Sequence, residues 1–434
     1  MSHEAVGVCG LFALLLALVL GVPIAVALGL VGVLGLSLLL SPEAALIKAG
    51  VMSFDALSSY ELGVLPLFLL MAHFCFAAGA TQKFFDVAAK FVGHRPGGLA
   101  LAAIGGCAGF GAVSGSSLAT AATVGLVALP EMRRHDYSPA LATGSLAAGG
   151  TLGVLIPPSA ALIVYGVIAE QSIGKLFVAA ILPGLTQALF YLATIYIICR
   201  RDPSLGPPIA RASWTERFTA LTGILDIGAV TVFVTAGLAF GWFTPTEAAS
   251  VGAVLALILC AARRCLTRVT LAHALRETLK TSGMIYAVII GAFLFSTFIS
   301  VSGIPDRLSH FVANLDAGPT VAIVAMAVML LVLGSFLDGM ALMLLTTPIF
   351  LPIAIEHDLS PIWFGIFLVR SMEIGFVHPP VGMNVYVIHD LARDIPLATI
   401  FRGVIPFLCA DFVHLALVIA MPSLTLWLPE RLGM

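Results

Sequence analysis

Eleven residues of this chain come back nearly intact. "LPEMRRHDYSP" fills positions 129–139 and "LPIAIEHDLSP" fills 351–361, so Leu, Pro, His, Asp, Ser and Pro recur at the one offset that carries Leu129 onto Leu351. The same offset carries Pro23 onto Pro245, Gly153 onto Gly375 and Pro157-Pro158 onto Pro379-Pro380, and ten of the thirty positions from 129 to 158 are identical. Yet Arg133 and Arg134 become Ile355 and Glu356. A chain that writes one element twice and strips the positive charge from the second copy places the copies in different electrostatic surroundings.

Composition says what those surroundings are. The sequence is 60% hydrophobic and 10% charged, with a mean hydropathy of +1.09, against about 25% charged residues in soluble domains. Lipid must solvate most of the apolar surface. The net charge of −2 says nothing about nucleic acid, and no basic run supports such a partner. Seven cysteines without a C-x-x-C pair, mostly in apolar stretches, read as small packing residues. The N-terminus is apolar from Ala5 and meets no Lys or Arg before Lys48, which is the mark of a retained membrane segment rather than a secretory signal.

A spanning helix takes about 20 apolar residues. Crossings are expected near 5–21, 23–41, 60–79, 139–169, 176–198, 218–241, 247–262, 282–303, 361–388 and 397–425. The Pro pairs should break 139–169 and 361–388 near their middles, because proline lacks an amide donor and clashes with the preceding turn. Regions 98–130 and 318–356 are each long enough for two short helices. Each is interrupted by small or polar residues, "GAVSGSSLAT" at 111–120 and "GSFLDGM" at 334–340. They read as re-entrant hairpins, with ordinary helix pairs as the alternative.

Loop charge sorts the layout. Basic loops fall at 80–97, 131–138, 199–217 and 263–280, whereas 42–59, 242–246, 304–317 and 356–360 hold only Lys48 and Arg307. The positive-inside rule makes the first set cytoplasmic, and the sorting works only if both hairpins are re-entrant. Five crossings then separate equivalent points, so the second copy is upside down and its Glu356 faces outward. The expected fold is an all-α membrane protein of about ten transmembrane helices plus two re-entrant hairpins. Its two inverted repeats are 1–210 and 211–434.

Inverted repeats with broken helices are a plan of secondary transporters, with sites near the membrane midplane. Hairpin tips and breaks offer free carbonyls and hydroxyls to a cation, and helix N-termini to a carboxylate. In the first half the candidates are Ser114, Ser116 and Ser117 at the tip, and Thr151, Gly153 and Pro157 at the break. The competing role for one Ser or Thr is a bond back to its own helix. In the second half they are Asp338, Gly339, Gly375, Pro379 and Asn384, Asp338 being an acid deep in an apolar region and equivalent to Ser116. "TPTE" at 244–247 reads as a capping box. Asp411 and His414 are expected to pair with each other, and Arg370 with Glu373, although Arg370 could also meet an anionic substrate. An enzyme is not indicated: Gly115-Ser116-Ser117-Leu118-Ala119 misses the last glycine of G-x-S-x-G, and no H-E-x-x-H, Walker A or GxGxxG motif is present.

At "GVPIAVALG" (21–29), "LPLFLLMA" (65–72), "SGSSLATAATVG" (114–125), "GGTLGVLIPPS" (149–159), "FTPTEAAS" (243–250), "LDGMALMLLTTPIFLPI" (337–353) and "EIGFVHPPVGMNVYV" (373–387), the chain resembles the large membrane subunit of tripartite ATP-independent periplasmic (TRAP) transporters. The resemblance implies a bacterial inner-membrane importer of small organic acids, coupled to Na+ and using no organic cofactor. It implies an elevator mechanism and two partners: a small four-helix membrane subunit and a periplasmic solute-binding protein. Ser116, Ser117, Asp338, Arg370 and Asn384 would then face the substrate. Ser114, Thr151, Gly153, Pro157, Gly339, Gly375 and Pro379 would surround the metal ion. A stand-alone sodium–anion symporter would carry the same repeats. His378 departs from the Thr usual in the family, and Arg370 stands where a small or amide residue is expected. C4-dicarboxylates, keto acids, sialic acids and sulfonates all remain open as substrates.

Overall fold

The structure, a computed structural model, describes residues 2–304, 307, 318–335, 337 and 339–434. The described residues form α-helices joined by short connections, with one 3-10 turn at Pro203–Leu205 and no strand. The helices are α1 (His3–Val19), α2 (Ile24–Leu39), α3 (Pro42–Ser58), α4 (Val64–Ala77), α5 (Ala80–Val92), α6 (Gly98–Ser114), α7 (Ser117–Arg134), α8 (Pro139–Leu155), α9 (Ala160–Ile168) and α10 (Ile173–Arg201). There follow α11 (Trp214–Thr222), α12 (Leu225–Ala239), α13 (Pro245–Ala262), α14 (Arg268–Ser302), α15 (Pro319–Gly334), α16 (Gly339–Glu356), α17 (Pro361–Gly375), α18 (Met383–Leu391), α19 (Leu397–Ala420) and α20 (Ser423–Arg431).

Among the described residues, five helices (α10, α13, α14, α16 and α19) are long and apolar enough to cross a membrane alone. Three bent pairs raise the number to eight. Side chains such as Phe12, Leu16, Ile47 and Phe54 stand exposed on the outside of the molecule, as expected where lipid is the solvent. Several stretches read as loops are helical. The segment 42–59 is mostly α3, and 80–97 holds α5, which leaves α4 at a bend of 61°. The basic stretch 263–280 is largely the first part of α14, whose 35 residues exceed what the roughly 30 Å hydrocarbon core requires. Charged, amphipathic turns escape a search for apolar length.

Two groups of helices emerge from the packing. In one, α2 lies along α14 and α4 along α13, with α1 and α12 alongside. In the other, the hairpin α6–α7 packs on α8, α8 on α19, and α17 on α15 and α16. The hairpin turn needs two residues outside the helices, Gly115 at φ +62 and Ser116, which caps α7. Both Pro-Pro pairs fall in helix breaks, as read from the sequence. Ile156 is extended after α8, Ser159 caps α9, and the two helices bend by 42°. Residues 376–382 separate α17 from α18, with Gly382 at φ +59. Element bounds recur at the repeat offset as well, Ser117–Arg134 and Gly339–Glu356 corresponding at both ends.

Candidate functional site

The first hairpin tip sits on the first helix break. A Cβ on Gly115 would come within 2.7 Å of the Pro158 carbonyl oxygen, and one on Gly153 within 2.7 Å of the Ser116 carbonyl and closer still to Thr120 Oγ1. Only glycine admits these approaches. Ser114 Oγ lies 2.8 Å from Thr120 Oγ1 and 3.5 Å from the Ser116 carbonyl. Two hydroxyls and a main-chain carbonyl therefore converge beside Gly153, a donor set of hard oxygens suited to a small cation. Ser114 and Gly153, expected at the ion, and Ser116, expected at the substrate, lie together here, and buried Pro157 belongs to the same break. Thr120 went unread, although it lies one helical turn beyond Ser116.

Ser117 and Asn384 meet each other. Asn384 Nδ2 donates to Ser117 Oγ at 2.8 Å and to the Ala147 carbonyl at 3.0 Å, and both side chains are buried. The pair ties the start of α18 to the first hairpin rather than lining an open space. At the second break, Gly375 packs on the Gly334 carbonyl, where a Cβ would be 2.6 Å away. Gly339 faces Met372 and Phe376. His378 Nδ1 stands 3.1 Å from Ser335 Oγ, and Pro379 is exposed. Asp338 lies outside the described residues.

Thr151 and Arg370 occupy a different place, the interior between α8, α10, α17 and α19. Thr151 Oγ1 is 3.0 Å from the Tyr191 hydroxyl, which donates to Asp411 Oδ1 at 2.7 Å. Arg370 donates to that same oxygen at 2.9 Å and also to Glu373. It is fully buried, so it presents nothing to a cavity. The expected Arg370–Glu373 pair is present. The expected Asp411–His414 pair is not: His414 Nε2 bonds Thr186 at 2.8 Å, because Tyr191 and Arg370, from other helices, engage Asp411.

Beside the tip lies a cavity of about 360 Å³. The hairpin supplies Phe110, Ser114, Ser116 and Thr123; α4 supplies Leu69, His73 and Phe76; α14 supplies His273, Glu277 and Thr281. The α7 N-terminus opens here, with Ser116 Oγ accepting from the Ala119 amide at 3.4 Å, which is an arrangement that favours an anion. His73, His273 and Glu277 were not read from sequence. The first lies on α4 and the other two on α14, and no local motif joins them. A larger cavity of about 500 Å³, lined by Glu61, Glu170 and Thr246 among others, contains no hairpin residue.

Residues 10–424 match the family described as tripartite ATP-independent periplasmic transporter, DctM component. The C4-dicarboxylate TRAP transporter large permease protein DctM of Pseudomonas aeruginosa is 38% identical, over 94% of both chains. The sialic acid TRAP transporter large permease protein SiaM of Vibrio cholerae is 34% identical over 86% of this chain and 87% of its own. These relatives are permeases, not enzymes. Among solved structures, the Alcanivorax borkumensis YdaH transporter is similar in fold, with a TM-score of 0.58 at 12% identity over 88% of this chain and 89% of that one. The chain belongs to the DctM component family of tripartite ATP-independent periplasmic transporters, as one of their large membrane permeases.

Proposed function

We propose that this chain is the translocating subunit of a sodium-coupled importer in a bacterial inner membrane. Its substrate is a small organic anion delivered by a periplasmic binding protein, and it works beside a small four-helix membrane subunit. The observation that carries the reading is that Ser114 and Ser116 belong to two features at once, the oxygen cluster at Gly153 and the 360 Å³ cavity. A sodium ion among those oxygens would place positive charge beside the α7 N-terminus, where a carboxylate then binds at lower cost. Ion and anion would stabilise each other's binding, which is the linkage a symporter needs. Each sodium ion entering with the membrane potential contributes about 2.3 kcal/mol per 100 mV.

The cavity also draws its walls from both helix groups. In the proposed elevator, α6–α10 and α15–α20 carry the site, and α2, α4, α13 and α14 stay fixed. The two repeats, 1–210 and 211–434, have opposite orientations, with a second ion site at Gly339, Gly375 and the backbone near Pro379. The two relatives above are named for C4-dicarboxylates and sialic acid, both bearing carboxylates, so substrates of that class are the first to test.

The test is uptake into proteoliposomes holding the chain with its small subunit, with and without the binding protein, under an imposed sodium or proton gradient. Accumulation of a carboxylate that needs both the binding protein and sodium is expected. Uptake by the chain alone would make it a stand-alone symporter, and uptake driven equally by protons would remove sodium from the account.

A further inference from the structure

The ionic cluster between α8, α10, α17 and α19 has no part in the transport cycle set out above. Thr151, Gln187, Tyr191, Arg370, Glu373 and Asp411 are each at most 1% exposed. Two carboxylates face one guanidinium there. Other groups on the surrounding helices do not change the balance. On α19 His414 bonds Thr186, and on α9 the Tyr165 hydroxyl donates to the Pro361 carbonyl at 2.6 Å. On α20 the buried Thr425 does not titrate, the described residues of α15 bring no charge, and the one charged residue of α16, Glu356, is exposed at its C-terminal end. With both acids ionised the cluster keeps one uncompensated negative charge, a costly state in a protein interior within a membrane.

Hydrogen bonding repeats the deficit. Glu373 Oε1, Asp411 Oδ2 and Gln187 Oε1 are buried acceptors without a partner, and Arg370 Nε is an unmet donor whose charge is already counted. The orientation of Gln187 is constrained. The Tyr191 proton goes to Asp411 and the Thr151 proton to the Ala148 carbonyl, so both hydroxyls take their second bond from Gln187 Nε2, at 3.1 Å each. Its amide is in reach of both carboxylates, and its oxygen is the atom left free.

We propose that this cluster binds one sodium ion among Glu373 Oε1, Asp411 Oδ2 and Gln187 Oε1. Such an ion supplies the missing charge and turns unmet acceptors into partners. Part of the site follows the repeat. Thr151 and Glu373 stand at equivalent positions, just before Gly153 and Gly375. Gln187 falls opposite Cys409 at the same offset, two residues short of Asp411. The site thus joins both halves, between the two helix breaks. It rests on charge balance and not on sodium coupling at the hairpin tip, so either reading can fail without the other.

Counting cations against charge tests it. In the purified assembled complex, Glu373→Gln leaves Arg370 balanced by Asp411 and should lose one equivalent of bound cation per chain. The double variant Arg370→Gln/Glu373→Gln leaves Asp411 alone and should regain it. Asp411→Asn serves in place of Glu373→Gln should that variant not fold. Radioactive sodium binding reads the count. Loss of one sodium ion per chain in the single variant and its return in the double is the expected result. Equal sodium stoichiometry in wild type and Glu373→Gln would overturn the proposal, as would a double variant that does not regain the ion.

Discussion

Gly153 shows how little room the candidate ion site has. A methyl group there would press on Thr120 Oγ1 and the Ser116 carbonyl, so Gly153→Ala must push the hairpin tip off the break. Overpacking of this kind costs about 1–3 kcal/mol. The variant should unfold at lower temperature in detergent than wild type and lose transport, while Gly50→Ala, with nothing within 4 Å, should not. Single residues were legible where their chemistry is local. Thr244 and Glu247 form the expected capping box, with the Thr244 amide 2.9 Å from the Glu247 carboxylate. Asp411 was misread because close spacing on one helix named His414, while its true partners, Tyr191 and Arg370, arrive from α10 and α17.

At the level of elements, the breaks were legible because proline acts on its own helix, and the hairpin tip because Gly115 and its serines are poor helix. Helices with a charged face, α5 and the start of α14, were not, since mean apolarity hides their period. One connection between elements should respond to acid. Arg133 at the end of α7 bonds Asp394 in the α18–α19 connection at 2.8 Å, and that bond holds the Asp394 carboxyl below its usual range. A depressed carboxylate contributes above its unfolded value and loses that contribution as pH falls through the folded one. Amide exchange in the last turn of α7 should therefore quicken below the ordinary carboxylate range. In Asp394→Asn it should be fast at neutral pH with no further step. An identical acid step in both proteins would show that the pair does not hold the two elements together.

For the whole molecule, the constant offset between the copies and the loss of Arg133-Arg134 from the second one argue for inversion. Cysteine labelling from outside intact cells should reach a cysteine placed near Asp358 and spare one near Arg134. Equal labelling would refute opposite orientations. The shared cavity was half legible: its hairpin wall lies in one motif, whereas His73 and His273 come together only when α4 and α14 pack.

In the proposed mechanism an ion at the first hairpin tip drives the anion's movement, and Ser114 offers the most direct test of that coupling. In the assembled complex, initial uptake is measured against sodium concentration for wild type and Ser114→Ala at saturating substrate. Removing one of several ligands, worth about 1.4 kcal/mol, should raise the sodium concentration for half-maximal uptake about tenfold, with the maximal rate approached at high sodium. An unchanged sodium dependence in Ser114→Ala, in a protein that still transports, would contradict the account.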